Sequence, residues 1–333
     1  MTAVLFTCAG QRVDIVTAFR EAGATTISAD LDPLAPALYH SDRRAIVPPV
    51  DDPGYVAALR NLVELHEVRL IVPLTDLDHL VLAESRNVLG GAGATVLVPE
   101  PETIHRCADK YLAHLFFEEQ RIGTPPTWLP DALPDDVRYP VLVKARRGFG
   151  SRHIYRAADR AELDFFLRYT TAESMVQSQC LGEEFSVDVF CDLDARCLAA
   201  IPRTMIESKG GESIKGATIA DRDLIEHGRR VSEALRIIGP ANVQCFREPD
   251  GHLEVTDVNP RFGGGFPLPT AAGSRYPELA LALAVGERPE PRFGDFREGV
   301  VMTRYFAQVI LEDAGGTLEP LGEQAEEAIT PEA

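Results

Sequence analysis

Val255-Thr256-Asp257-Val258-Asn259-Pro260-Arg261, read together with Gln244 upstream, decides how the rest of the chain is understood. The runs Val243-Gln244-Cys245-Phe246 and Leu253-Glu254-Val255-Thr256-Asp257 flank Pro249-Asp250-Gly251. Asp-Gly between two strand-like runs is a strong hairpin signal. Folding symmetrically about that turn sets Gln244 opposite Thr256 or Asp257, and the strand period of two puts Asp257 and Asn259 on one face. One carboxylate and two amide carbonyls suit a hard cation such as Mg²⁺, with Mn²⁺ as an alternative; such a cation keeps some waters and takes its other ligands from substrate phosphates. Arg261 would face the same anionic ligand. The pattern alone describes equally well a strand end capped by Asp257 and Asn259 with Gln244 as a solvated edge residue, so the remainder of the chain has to choose.

The chain has 333 residues, 45% of them hydrophobic and 25% charged, which suits a globular protein with two or three subdomains. Lysine and arginine number 33 against 51 acidic residues, a net charge of -18. That balance argues against nucleic acid or an anionic membrane as partner, and an anionic ligand then needs a local basic cleft. The six cysteines, Cys8, Cys107, Cys180, Cys191, Cys197 and Cys245, form no Cys-x-x-Cys pair, and several sit in apolar runs. With no long apolar stretch and no signal-type N-terminus, the expected location is cytoplasmic.

Val4-Leu5-Phe6 leads into Cys8-Ala9-Gly10-Gln11-Arg12, Val13, Val16 and Phe19 recur at helical spacing, and Thr25-Thr26-Ile27-Ser28-Ala29 reads as a second strand. Further strands at Leu70-Ile71-Val72 and Thr95-Val96-Leu97-Val98, with helical patterns at 54–67 and 77–90, extend this opening into a Rossmann-like parallel-sheet domain over 1–100. Asp30 follows Gly10 at the distance of the ribose acid in a dinucleotide fold, which makes an NAD(P)-dependent oxidoreductase a rival reading. Gly10 stands alone where that fingerprint needs three glycines, which disfavours it. The prolines of 124–140 mark a boundary. Beyond it, Val141-Leu142-Val143 and His153-Ile154-Tyr155 bracket a glycine-containing loop, followed by a helix over 159–169 and a strand at Ser174-Met175-Val176, the makings of a small α+β lid. Two strands over 185–201, a helix over 221–237 and the hairpin complete a third unit. The segment 313–333 is acidic and poor in large apolar residues, the composition of a loosely ordered tail.

Val143-Lys144-Ala145-Arg146-Arg147-Gly148-Phe149-Gly150-Ser151 places a lysine at a strand end before a glycine-rich turn, which offers a cation and free N–H groups to phosphate oxygens. It lacks P-loop spacing and runs into a strand instead of a helix, and by itself it could be a plain hairpin turn. The order along the chain tips the balance. Asp109-Lys110, then Lys144 and its loop, then the stretch from Val176 through Gln177-Ser178-Gln179-Cys180-Leu181-Gly182-Glu183-Glu184 to Asp188, then Gln244, Asp257 and Asn259 resemble the ATP-grasp superfamily from about residue 100 to 311. The first domain is similar to the α/β domain that precedes it in carbamoyl-phosphate-synthase-like and pyrrolysine-biosynthesis-type ligases. Three units follow: 1–100; a linker helix and lid, 101–180; and a metal-site subdomain, 181–312.

The resemblance implies Mg-ATP held between lid and third unit, with Lys110 and Lys144 on phosphates, the loop of Gly148, Gly150 and Ser151 closing over them, and Gln177 meeting the adenine amine. Ser178 and Cys180 would offer hinge backbone to adenine, Glu184 would take the ribose hydroxyls with Glu183 as substitute, and Gln244, Asp257 and Asn259 would hold the metal. Arg203 and the segment carrying Lys209 and Lys215 would approach from the other side, although a basic glycine-bearing stretch can equally be a solvated loop. Asp257 stands where the family usually has Glu, and His153 where the lid often has Gly. The implied chemistry transfers a γ-phosphoryl group to a carboxylate, and an amine then attacks the acyl phosphate. Arg261, with the backbone of Gly263-Gly264-Gly265, would orient the carboxylate or its oxyanion. The implied partners are small carboxylates and amines, amino acids or derivatives, with a homodimer as the usual assembly; Thr7, Arg12, Asp76 and Asp78, at strand ends, would shape the second-substrate pocket. Bicarbonate activation is the alternative within the family, and a noncatalytic nucleotide-binding protein the alternative outside it.

Overall fold

The computed structural model describes residues 1–148, 153–209, 212–313 and 315–321. In the first unit come β1 (Ala3–Thr7), α1 (Val13–Glu21), β2 (Thr25–Asp30), β3 (Arg43–Ile46), α2 (Tyr55–His66), β4 (Val68–Pro73), α3 (His79–Glu84), α4 (Arg86–Gly91) and β5 (Thr95–Val96). The strands lie in the order β3-β2-β1-β4-β5, all parallel, so the chain reverses its direction of travel across the sheet between β1 and β4. Strand alternation explains the two faces: Val4 and Phe6 enter one core with Phe19, while Ala3 and Leu5 enter another with Tyr55, Leu59 and Leu82. The edge strand β3 escaped the sequence reading because its run is Arg-Arg-Ala-Ile, and the helix expected over 77–90 is two helices that meet at Ser85.

Two helices, α5 (Pro101–Ala108) and α6 (Lys110–Glu119), lead to the lid, formed by β6 (Thr127–Trp128), β7 (Val141–Ala145), β8 (Ile154–Ala157), α7 (Arg160–Tyr169) and β9 (Ser174–Ser178). Its sheet runs β6-β9-β7-β8, and its small core packs Val141, Val143, Leu163 and Val176.

The third unit contains β10 (Glu183–Cys191), β11 (Cys197–Thr204), β12 (Glu207–Lys209), β13 (Glu212–Ala217), α8 (Arg222–Ala234), β14 (Gly239–Arg247), β15 (Leu253–Asn259), α9 (Pro267–Ala271), α10 (Tyr276–Ala284) and β16 (Val301–Thr303). Its main sheet, β11-β10-β14-β15, is antiparallel and covered by α8, whose Leu224 and Val231 join Val187, Val189 and Val243 in one core. The first and third units share a core: Phe6 and Phe19 continue into Phe190, Phe262, Phe266 and Tyr276, with Phe19 edge-on to Phe262 at 6.0 Å. Each such ring taken from water stabilises by about 2–3 kcal/mol, enough to hold the two units as one body.

Where the acidic tail was expected, β17 (Leu311–Asp313) and β18 (Leu318–Pro320) pair as a hairpin whose Glu319 meets Arg44 at 2.6 Å. The tail residues 322–333 lie outside the described residues. No helix among the described residues is long and apolar enough to cross a membrane, and all six cysteines are free.

Candidate active site

Between the lid and the third unit lies a cleft of about 300 Å³. Lys110, Lys144, Gly148, Gln177, Ser178, Cys180, Glu184, Gln244 and Asp257, separated by up to 147 positions in the sequence, all line it. Leu142, Ile154 and Phe246 supply apolar walls and Thr256 a hydroxyl; the sequence reading missed these four, which carry no signal beyond ordinary strand alternation. A slot with apolar sides that carries two lysines and the carboxyl groups of Glu184 and Asp257 is chemically matched to a flat heteroaromatic ring that bears phosphates.

Lys144 leaves β7 and donates to Gln177 Oε1 at 2.7 Å; Gln177 Nε2 donates to Thr127 Oγ1 at 2.9 Å, and Thr127 in turn to the Pro125 carbonyl at 2.8 Å. Both ends of the Gln177 amide are thus engaged inside the protein, and the side chain fixes Lys144 while it lines the cleft. Burial pushes the Lys144 ammonium down from the usual lysine range, and Asp257 acts against that shift.

Lys110 opens α6 directly after Asp109, which caps the helix by accepting from Tyr111 and Leu112 N–H groups. Asp109 also receives Arg146 through both Nε at 3.2 Å and a terminal nitrogen at 2.6 Å, and the Lys110 N–H donates to the Arg146 carbonyl. The helix start and the lid loop are therefore one construction. Lys110 Nζ reaches the Gly148 carbonyl at 3.1 Å and Asp257 Oδ1 at 3.4 Å. Gly148 has φ of +134°, a conformation that L side chains rarely adopt. Gly150 and Ser151 lie outside the described residues.

In the hairpin, Gln244 pairs with Asp257 after a register shift between Gln244 and Cys245. Asp257 Oδ2 accepts from Asn259 Nδ2 at 3.4 Å, so the two occupy one face. Asn259 Oδ1 accepts from Arg261 at 3.4 Å. The donor set of one carboxylate and two amides consists of hard oxygens and fits Mg²⁺, once the Asn259 amide turns its oxygen inward and Lys110 yields part of its hold on Asp257.

Cys180 and Ser178 stand at the hinge between β9 and β10, where Cys180 Sγ lies 3.5 Å from Glu254 Oε2 and burial pushes its thiol up. Glu184 is half-buried on the cleft wall whereas Glu183 is exposed; burial pushes the Glu184 carboxyl up, opposed by Lys144 and Arg203.

The expected placement of two cations needs revision. Arg203 does not reach the cleft wall: it is buried, paired with Asp188 at 2.8 Å, and Asp188 also accepts from Asn242 Nδ2 at 2.8 Å. Strand alternation along β11 turns its side chain into the interior. Lys215 lies exposed in β13 against Glu207 at 2.6 Å and lines no part of the cleft. The Lys209 side chain and residues 210–211 lie outside what is described.

Gly263-Gly264-Gly265 is a packed loop. A Cβ on Gly265 would meet the Arg203 guanidinium carbon at 2.4 Å, while the carbonyls of Gly263 and Gly264 accept from Arg12 at 3.0 Å and Arg304 at 2.7 Å. Arg12, expected near a second substrate, also donates to the Phe262 carbonyl and lies against Asp14, so it ties the first unit to this loop. Arg261 crosses the same boundary, with its Nε on Asp76 Oδ2 at 3.0 Å. Thr7 is buried at the end of β1, and Asp78 is buried directly before α3.

Residues 4–97 match the family described as PylC-like, N-terminal domain, and residues 170–305 match the family described as ATP-grasp in the biosynthetic pathway with Ter operon. The carbamoyl phosphate synthase large chain of Deinococcus radiodurans is 26% identical over 323 residues, 86% of this chain and 30% of that one. The chain spans less than a third of the length of the curated relatives it matches. Among solved structures, the L-amino acid ligase of Bacillus licheniformis aligns at a TM-score of 0.71 with 18% identity, covering 90% of this chain and 78% of that one. The biotin carboxylase domain of the Hydrogenobacter thermophilus 2-oxoglutarate carboxylase, solved with MgADP, ADP and bicarbonate, aligns at 0.70 with 16% identity, covering 90% and 73%. The chain therefore carries a PylC-like N-terminal domain over residues 4–97 and an ATP-grasp domain over residues 170–305.

Proposed function

We propose that this protein is an ATP-dependent carboxylate–amine ligase that forms an amide or peptide-like bond through an acyl phosphate and releases ADP and phosphate. The observation that carries the reading is the cleft itself: Lys110, Lys144, Gly148, Gln177, Ser178, Cys180, Glu184, Gln244 and Asp257 stand around one cavity although they come from the linker helix, the lid and the third unit. Lys110 and Lys144 would neutralise phosphate charge, Glu184 would hold ribose hydroxyls, and the hinge at Ser178 and Cys180 would offer its backbone to the base. Gln244, Asp257 and Asn259 would hold Mg²⁺, which supplies charge neutralisation for the transferring phosphoryl group. Arg261 would orient the carboxylate, with Lys209 on the opposite side.

The neutral amine attacks the acyl carbonyl, a C–N bond forms, the C–O bond to phosphate breaks, and inorganic phosphate leaves with the electron pair and takes up the proton that the nitrogen loses. The protein's share is positioning and electrostatics. Small carboxylates and amines are the partners, a homodimer is the assembly to test first, and six unpaired cysteines fit the reducing cytoplasm.

The test is ADP release measured over paired carboxylates and amines with Mg²⁺. Turnover is expected only when both substrates are present, and Lys144→Ala is expected to lower it by about a hundredfold or more while the melting curve stays cooperative. A protein that binds no adenine nucleotide with any divalent metal would exclude the reading.

A further inference from the structure

Another cavity, of about 400 Å³, lies between β11 and α10 and has no lining residue in common with the cleft. β11 contributes Leu198, Ala199 and Ile201 to it, α10 contributes Leu279 and Ala282, and the loop beyond α10 contributes Phe296. Leu198 and Ile201 belong to the core shared by the first and third units, and Ala199, Leu279 and Phe296 pack against that core. The cavity is therefore an opening onto the core and not a dent between solvated side chains. Its size falls in the range of small-molecule sites, and its apolar lining accepts a hydrocarbon group.

Charges of both signs surround this apolar ground. Glu290 meets Arg196 at 3.4 Å, Arg292 meets Asp295 at 3.6 Å, and Arg288 meets Asp194 at 3.8 Å, so these charges are already answered. Three others in the lining are not. Among the described residues, no hydrogen bond or ion pair engages the side chain of Arg275 at the N-terminal boundary of α10, of Glu278 in its first turn, or of Glu287 just beyond it. The hydroxyl of Ser274, in the same lining, is buried and also lacks a partner among the described residues. Buried polar atoms are seldom left so, and one in the wall of a cavity marks a set that ordered water or a ligand completes.

We propose that this cavity is a binding site for a free amino acid with an apolar side chain: the hydrocarbon enters between β11 and α10, the carboxylate faces Arg275, and the ammonium faces Glu278 and Glu287. The charge pattern selects the class. A phosphate would meet one unanswered cation against two carboxylates, a bare hydrocarbon would leave all three charges unused, and a simple cation would leave Arg275 without a partner. A molecule with one charge of each sign and an apolar body answers the whole set. The inference does not depend on the ligase reading, since the site shares no residue with the cleft and needs no nucleotide.

Equilibrium dialysis of radiolabelled L-leucine and L-phenylalanine against the full chain at neutral pH tests the site. The competitors are isocaproate, which is leucine without its amino group, and isoamylamine, which is leucine without its carboxylate. Leucine or phenylalanine is expected to bind, with each competitor weaker by about tenfold or more, the loss of one charge-assisted contact. Ala282→Phe fills the cavity, and Glu278→Lys reverses an exposed charge without touching the core. Each is expected to weaken binding by about tenfold or more, whereas Arg261→Ala, at the cleft, leaves it unchanged. Binding lost in Arg261→Ala but undiminished in Ala282→Phe and Glu278→Lys places the amino acid at the cleft and overturns the proposal. Wild-type protein that binds neither amino acid overturns it as well, and so does a competitor that binds as tightly as leucine. None of these outcomes alters Mg-ATP binding, so failure here is distinct from failure of the ligase reading.

Discussion

Lys144 shows how much a single side chain depends on its neighbours. A lysine at a strand end before a glycine turn is visible in the sequence, but its partner Gln177 and the support of Thr127 are not, because they meet only across β6, β9 and β7. The sequence resemblance gave Gln177 to the base; in the structure its amide also holds the lysine. Gln177→Leu keeps the volume and removes both hydrogen bonds, leaving a buried ammonium and the Thr127 hydroxyl without their partner. That change is expected to destabilise by about 1–3 kcal/mol and to weaken nucleotide binding together with it. Thermal melts with and without Mg-ATP measure both, and a variant with wild-type values on each would show that Lys144 needs no such support.

At the scale of elements, the hairpin β14–β15 was the most legible part of the chain, since Pro249-Asp250-Gly251 fixes the turn and the strand period fixes the face. The register shift at Gln244 was not legible, because a bulge answers to packing against β10 and not to local propensity. Helix α8 was read from its apolar stripe, and it holds a buried titratable group besides. Burial pushes His227 down to about 4 from 6.5, with Arg230 adding to the effect, and its Nε2 has no hydrogen-bond partner. The folded pKa lies below the unfolded one, so the unfolded chain binds the extra proton between them. Stability is then full above pH 6.5 and falls as the pH drops toward 4, by about 3 kcal/mol for this group alone. Buried His79 and His114 shift in the same direction, whereas exposed His252 shifts upward. Urea unfolding midpoints measured from pH 7 to pH 4.5 check the slope, and His227→Gln is expected to flatten it.

For the whole molecule, the question is what keeps the first unit aligned with the cleft. The shared aromatic core supplies most of the adhesion, and Arg12 supplies direction: its guanidinium donates to the Phe262 and Gly263 carbonyls at 3.0 Å while Asp14 holds it in place. Arg12→Ala is expected to cost about 2 kcal/mol in urea unfolding, the scale of charged hydrogen bonds at a nearly buried site. It is also expected to lower ADP release in the presence of both substrates by several-fold, since Arg261, which spans the same boundary, loses its alignment with the cleft. Unchanged ADP release would show that the clamp serves stability alone.

By itself the sequence determined the parallel opening sheet, the lid, the hairpin and the order of chemistry-bearing residues, because periodicity, turn residues and spacing are local properties that one strand or helix already expresses. Only the tertiary structure decided which of those residues share a cavity. Arg203 turned out to be locked to Asp188 in the interior, Lys215 to lie outside the cleft, and Arg12 to bind carbonyls across a boundary. The physical reason is common to all three. A charged side chain in sequence announces only that it needs a partner, and the partner is chosen by which strands pair and which faces pack.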